Sequence, residues 1–317
     1  MGSFMRVLVT GGAGFIGSNF VEMALTDQFP AISSVLVLDK LTYAGKLSNL
    51  GSVTHNPNFE FIQGDICDVK LVNKLVANID AVINFAAESH VDRSIEDSSE
   101  FIRTNVLGTQ VLLDAAKKYG VDKFVQVSTD EVYGSILEGS WDENEPLLPN
   151  SPYSASKAAA DLLARSYFVT HGLNVSITRC SNNFGPKQDL EKLIPNFIHK
   201  LSQGKKVPVY GDGLNVRDWL YVNDHCQGIY LTLTKGLAGE IYNIGGGTEL
   251  TNLELTKKLL GFFERDESFI DFVPDRLGHD RRYSVDHRKI SNLGYKPTID
   301  FDSGLAKTCN WYQSSHD

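Results

Sequence analysis

The chain has 317 residues, 42% of them hydrophobic and 22% charged, with a net charge of −9. That length suits one large domain plus a smaller lobe, and the composition is too apolar for a disordered chain. An acidic protein of pI about 5.4 has no overall attraction for polyphosphate. This argues against a dedicated DNA or RNA binder, but not against one small anion held by local arginines.

In chain order, residues 6–10 read as a strand, 16–27 as an amphipathic helix and 35–38 as a second strand. Strands over 59–62 and 81–85 follow, with a helix over 69–78 between them. A long helix over about 98–119 leads to a strand over 124–127. Another, over about 154–171, leads to a strand over 175–178. The strand runs are almost continuously apolar, as in parallel strands covered on both faces. Strands alternating with helices imply an α/β fold, a doubly wound parallel sheet of Rossmann type.

After Arg179, Gly and Pro become denser (Gly185, Pro186, Pro195, Gly204, Pro208) and the alternation loosens. The expected division is residues 1–180 for the first domain and 181–317 for a smaller mixed lobe, with 221–245 returning to the main sheet. No apolar run reaches the length of a membrane span, and the N-terminus lacks the pattern of a secretory leader. Cys67, Cys180, Cys226 and Cys309 lie far apart without metal-finger spacing. They read as thiols in a reducing cytoplasm, and no metal site is expected.

Thr10-Gly-Gly-Ala-Gly-Phe-Ile-Gly17 follows the first strand and opens the first helix. Gly11 permits the tight turn, Gly14 lets backbone approach a pyrophosphate, and Gly17 allows close packing of the helix. The helix N-terminus favours an anion there. Asp39, 22 residues past Gly17, ends the second strand. A carboxylate there accepts from ribose hydroxyls and repels a 2′-phosphate, favouring NAD over NADP; the adjacent Lys40 weakens that preference. Gly64-Asp65-Ile66 is placed to hold the adenine edge, although Asp65 equally fits a helix N-cap. Ala86 and Ala87, being small, permit close backbone approach.

Tyr153-Ser-Ala-Ser-Lys157 places a phenol and an ammonium four residues apart at a helix start, hence on one face. The ammonium is expected to lower the Tyr153 pKa. The same spacing recurs in Tyr119-Gly-Val-Asp-Lys123, where Gly120 ends a helix and the two side chains need not share a face. Asp130 and Glu131 follow the strand over 124–127, where an open parallel sheet gathers its ligands. Two carboxyls crowded together resist double ionisation, so one can stay protonated as an acid beside a basic partner. A pair of solvated loop residues is the plainer alternative. His90 reads as structural, and Trp219 with Tyr221 as core.

Together these motifs resemble the extended short-chain dehydrogenase/reductase family and, more narrowly, the dTDP-glucose 4,6-dehydratase family, over essentially the whole chain. Further carriers are Leu41-Thr-Tyr-Ala-Gly45, Ala86-Ala-Glu-Ser-His-Val-Asp-Arg93, Ser128-Thr-Asp-Glu-Val-Tyr-Gly134 and Ser181-Asn-Asn-Phe-Gly-Pro186. Glu191-Lys-Leu-Ile-Pro195, Arg217-Asp-Trp-Leu-Tyr-Val222 and Asp275-Arg-Leu-Gly-His-Asp-Arg-Arg-Tyr283 complete them. The Thr-Asp-Glu triplet is the narrowest, because related 4-epimerases generally lack the acid pair.

The resemblance implies the following roles. NAD is held by Gly11, Gly14, Phe15, Ile16 and Gly17, by Asp39, Lys40, Leu41 and Thr42, and by Asp65 and Ile66. Ala86, Ala87, Ser89, Thr104, Asn183, Tyr153 and Lys157 complete that side. The sugar nucleotide meets Ser89, Thr129, Asn182, Lys192 and Leu193, then Pro208, Tyr210 and Arg217, and finally Asn252, Asp275 and His279. Arg217 is expected to pair with the diphosphate. Thr129 binds the C4 hydroxyl, Tyr153 takes its proton with help from Lys157, and hydride passes from C4 to NAD. Glu131 then removes the C5 proton, Asp130 protonates the departing C6 hydroxyl, and hydride returns to C6. The product is the 4-keto-6-deoxy sugar. A homodimer built on the helices near 98–119 and 154–171 is implied as well. The stretch Lys187-Gln-Asp-Leu190 and Phe184 depart from the family pattern and bear on pocket shape. Open alternatives are a UDP-sugar dehydratase, a 4-epimerase and a non-catalytic NAD-binding sensor.

Overall fold

The computed structural model describes residues 4–26, 28–275 and 278–314. In it the first apolar runs line up as β1 (Met5–Thr10), β2 (Ile32–Asp39), β3 (Phe59–Gln63), β4 (Ala81–Asn84), β5 (Lys123–Thr129) and β6 (Val175–Cys180). Strands β7 (Asn182–Phe184), β8 (Val207–Tyr210) and β9 (Val216–Tyr221) leave that sheet, and β10 (Ile241–Ile244) returns to it beside β6. The resulting seven-stranded order is β10-β6-β5-β4-β1-β2-β3, with every pairing parallel. All seven residues of β5 are buried, as a central strand with helices on both faces requires. The parallel register makes the strands end on one edge, Thr129 opposite Cys180 and Thr10 opposite Asn84.

Strand β11 (Glu249–Thr251) joins β9 and β7 in a small second sheet, and β12 (Ile270–Val273) pairs with β8. Phe184, Trp219, Tyr221 and Phe301 pack ring against ring in the core beneath them, so Trp219 and Tyr221 are core residues. Val222, Cys226 and Ile229 of the helix Val222–Lys235 pack instead into the core of the main sheet.

The helix expected over 16–27 runs from Phe15 to Ala24; Asp27 lies outside the described residues, as do residues 1–3, Arg276 and Leu277. The long helix expected over 98–119 is not continuous. A π-helical stretch, Ile102–Gly108, separates Ser99–Phe101 from Thr109–Tyr119. It turns Asn105 inward, where its amide accepts from Glu88 N at 2.9 Å and donates to Glu88 O at 3.0 Å and Ser156 Oγ at 2.8 Å. Gly120, left-handed at φ 69, ends the second helical piece. Beyond it Lys123 turns into the sheet and donates to Ser176 Oγ and Gly236 O, while Tyr119 is exposed. The second Tyr–Lys spacing thus brings nothing together.

The helix Pro152–His171 starts on a Ser151–Ser154 capping box and ends at left-handed Gly172. Its Asp161 meets Arg179 of β6 at 2.9 Å, with both side chains almost fully buried, and the guanidinium lies over the Tyr133 ring at 4.7 Å. Removing one member of such a pair strands a charge in low dielectric, at about 3–5 kcal/mol. Asp161→Ala should therefore lower the free energy of urea unfolding by about that amount, and an unchanged denaturation midpoint would contradict the account.

Candidate active site

Thr10 ends β1 and the chain turns at Gly11, left-handed at φ 67, where a Cβ would stand 2.6 Å from Ala86 N. A Cβ on Gly17 would stand 2.4 Å from Gly11 O. The close approach that Gly17 permits is therefore to the turn itself. Gly14 caps the helix Phe15–Ala24 with no side-chain bond, so the first-turn N–H groups face outward for an anion.

Asp39 accepts from Ala13 N at 2.9 Å through Oδ2 and from Leu41 N at 2.8 Å through Oδ1. Burial raises its pKa and these two bonds oppose the rise. Lys40 reaches Asp65 at 3.1 Å, which offsets its charge beside Asp39. Asp65 itself accepts from Cys67 N; the cap of the helix Val69–Val76 is Asp68.

At the end of β5, the Thr129 hydroxyl accepts from Glu131 N at 3.2 Å and lies 3.3 Å from Asp130 Oδ1. The same hydroxyl favours the ionised form of the Tyr153 phenol. Asp130 is buried. Desolvation first, then the charges of Glu131 and Asp218, hold its carboxyl well above the ordinary value, against the pull of Arg217. Tyr153 departs from expectation. Its phenol is pushed well above the usual range, by burial first and then by Glu131 and other neighbouring groups. Lys157 donates to Val127 O at 2.7 Å and is itself lowered by burial. Four-residue spacing puts the two groups on one face, but desolvation sets the acidity.

One cavity is walled by the glycine turn with Phe15 and Ile16, by Asp39, Lys40 and Thr42, and by Asp65, Ile66, Ala86 and Ala87. Ser89, Thr104, Thr129, Asp130, Glu131, Tyr153 and Lys157 continue it, and Asn182, Asn183 and Lys192 close it. Leu41, left-handed at φ 57, stands behind Asp39 and outside the wall. Leu193, Pro208, Tyr210, Arg217, Asn252, Asp275 and His279 do not wall this cavity either. Several gather in the second lobe, where His279 Nδ1 meets Asp275 at 2.6 Å beside the Tyr210 ring. Arg217 is buried over Tyr283 and donates to the carbonyls of Val216 and Asp280.

Sequence reasoning missed Asn105, which holds the Glu88 backbone. It also missed Tyr43, Glu88, Ser181 and Gln188, which wall the cavity. Tyr43, Glu88 and Ser181 lie inside the quoted motifs and Gln188 inside the departing stretch, but none of them carried a signal of its own.

The walls fit a dinucleotide. A helix N-terminus without a side-chain cap faces the pyrophosphate position, a carboxylate sits where a ribose would bind, and close-packed glycines leave room for backbone contact. Two buried acceptors, Asp130 Oδ2 and Asn182 Oδ1, have no hydrogen-bond partner among the described residues. They suit a ligand rich in hydroxyls. Among the described residues no group of three metal-ligating side chains assembles, and no helix is long and apolar enough to cross a membrane.

A sequence profile of the family described as GDP-mannose 4,6 dehydratase matches residues 8–308. The chain is 57% identical over 316 residues to a dTDP-glucose 4,6-dehydratase of Streptomyces antibioticus, covering 98% of this chain and 93% of the relative. It is 55% identical over 315 residues to one from Actinoplanes sp., covering 98% of each. The crystal structure of a dTDP-glucose 4,6-dehydratase from Streptomyces venezuelae with NAD and TYD bound superposes with a TM-score of 0.97. It shares 55% identity and 98% coverage of both chains.

The raised Asp130 carboxyl has a stability consequence. The unfolded chain ionises it near the ordinary 3.8, whereas the folded protein keeps the proton to higher pH. Folding stability is therefore lost as pH rises through that window. Asp130→Asn removes the penalty. Denaturant melts should show the variant gaining on the wild type at pH 8 and losing that advantage toward pH 4; a pH-independent difference would contradict the burial account.

Proposed function

The chain belongs to the family described as GDP-mannose 4,6 dehydratase, and from that membership we propose that it is an NAD-dependent hydro-lyase converting dTDP-glucose to dTDP-4-keto-6-deoxyglucose. One observation carries the assignment of roles. A buried carboxyl, Asp130, and a second carboxyl, Glu131, sit beside the Thr129 hydroxyl in the cavity that also holds Tyr153, Lys157 and the glycine turn, and burial raises the Asp130 pKa. Loss of water across C5 and C6 needs a base at C5 and an acid at C6, and epimerisation at C4 needs neither of these two groups.

Bound NAD supplies a hydride acceptor for the C4 hydrogen and gives the same electron pair back at C6. Thr129 positions the C4 hydroxyl and Tyr153 takes its proton. Burial makes that phenolate costly, so Lys157 serves as the neighbouring cation that offsets it. Once C4 is a carbonyl, the C5 hydrogen is acidic and the Glu131 carboxylate removes it. Asp130 gives its proton to the C6 hydroxyl, which leaves as water, and Glu131 returns its proton to C5 as the hydride is delivered to C6. The cofactor side falls to residues 1–180 with 221–245, and the nucleotide to 181–317. There Arg217 and its neighbours Asn252, Asp275 and His279 take the diphosphate and base.

We further assign a homodimer, because Ile102, Leu107, Leu162 and Val169 are exposed apolar residues on the two long helical segments. The four cysteines are unpaired thiols, three of them buried. This supports a reducing, cytoplasmic setting.

Incubation with dTDP-glucose should yield the alkali-induced absorbance of a 4-keto-6-deoxy sugar. No such product from dTDP-glucose would overturn the assignment. Glu131→Gln should lower turnover by about 10²–10⁴-fold while enzyme-bound NADH accumulates, seen as reduced-nicotinamide absorbance. Tyr153→Phe should stop that absorbance from appearing at all. Sedimentation velocity should show a species of twice the chain mass.

A further inference from the structure

Three loops that follow β2, β4 and β7 form part of the cavity wall. They contribute Lys40, Thr42 and Tyr43, then Glu88 and Ser89, then Asp189, Glu191 and Lys192. Charged side chains tie each loop to another across long stretches of sequence. The Arg93 guanidinium pairs with Glu191 and lies over the Tyr43 ring at 4.1 Å, so one side chain touches the other two loops. His90 Nε2 stands 3.5 Å from the same Glu191 carboxylate. Lys192 Nζ donates to Ser89 O at 2.8 Å, and Lys46 meets Asp189 at 3.5 Å.

The third loop begins with the stretch Lys187–Leu190, which departs from the family pattern, and it is anchored at its root. Lys187, left-handed at φ 70, pairs with Glu22 of the first helix at 2.6 Å. Gln188 donates to Asn183 O at 2.9 Å and accepts at its carbonyl from the Tyr312 hydroxyl.

This reaction has an unusual requirement. The electron pair taken at C4 must be put back at C6 in the same turnover, so a reduced cofactor that escapes strands a ketone with no route to product. We propose that Arg93 and Glu191 are positioning residues of an electrostatic clasp that joins the three loops and slows departure of NAD and NADH. The proposal rests on the NAD-dependent dehydratase reading. Neither side chain takes part in proton transfer. They act by holding Tyr43, Ser89 and Lys192 in the cavity wall.

The Arg93 and Glu191 side chains are 45% and 37% exposed, so their attraction is open to screening by salt. The test is the exchange rate of enzyme-bound NAD against labelled NAD, measured on the holoenzyme without sugar. An exposed ion pair plus a cation–π contact corresponds to an exchange about fivefold faster in Arg93→Met and in Glu191→Gln. The charge-swapped double variant, Arg93→Glu with Glu191→Arg, should recover most of the slow exchange, which a merely structural role would not predict. Rising salt should speed exchange in the wild type and much less in the single variants. Unchanged exchange in both single variants, or a swap no slower than either, overturns the clasp. Should the variants not fold, a wild-type exchange rate indifferent to salt overturns it as well. Wild-type protein that binds no NAD overturns the dehydratase reading beneath it.

Discussion

Asp130 is a buried carboxyl group just past the end of β5, a strand buried at every residue, where the chain enters the cavity wall. Much of the site can be understood as an accommodation of that placement. Removing a carboxylate from water is costly, and a second carboxyl next to it raises the cost, so the group keeps its proton. Arg217 opposes this from the second lobe, while Asp218 reinforces it from the neighbouring position. The chain's overall negative charge is of little account here. Burial comes first in raising its pKa, and the neighbouring charges of Glu131, Asp218 and Arg217 modify that.

The path of the chain sets the cavity beside the seam between the large sheet and the small one. Strand β6 ends at Cys180 and β7 begins at Asn182, so one residue carries the chain from the large parallel sheet into the small one. Asn182 and Asn183 therefore stand at the seam and line the cavity. The seam is pinned from behind. His225 Nδ1 lies 2.9 Å from Asn183 Oδ1, and burial lowers its pKa to about 3, which keeps the ring neutral. The ring comes from the helix Val222–Lys235, whose apolar face belongs to the first core. Neither sheet can shift without disturbing the other.

The parts of this arrangement legible in the sequence are those encoded locally. A strand, three glycines, a helix and a terminal aspartate occupy adjacent residues, and the structure keeps them adjacent. The two Tyr–Lys spacings were separable because Gly120 breaks one helix and Ser151 with Pro152 starts the other. What escaped depends on groups far apart in the chain. Tyr153 acidity follows from what buries the ring, and no spacing reports that. The carbonyl of Asp280 that accepts from Arg217 is 63 residues away, so no local pattern shows how that guanidinium is oriented. Asp65 and Asp68 both lie before a helix, and only the hydrogen bonds show which of them caps it.

The seven π-helical residues between Phe101 and Thr109 have a consequence for how the protein tolerates change. Positions five apart on an ordinary helix diverge by about 140°, yet here Ile102 and Leu107 both look outward, 51% and 48% exposed, while Asn105 between them is buried. The wide turn works as a phase adjuster, letting one rod present a greasy outer stripe and an inward amide that a uniform pitch could not align. Deleting or inserting one residue there would swing the following segment by about 100°, and Leu112 and Leu113 would roll out of the core toward solvent. Substitutions along this rod are a matter of chemistry, but its residue count is fixed by geometry.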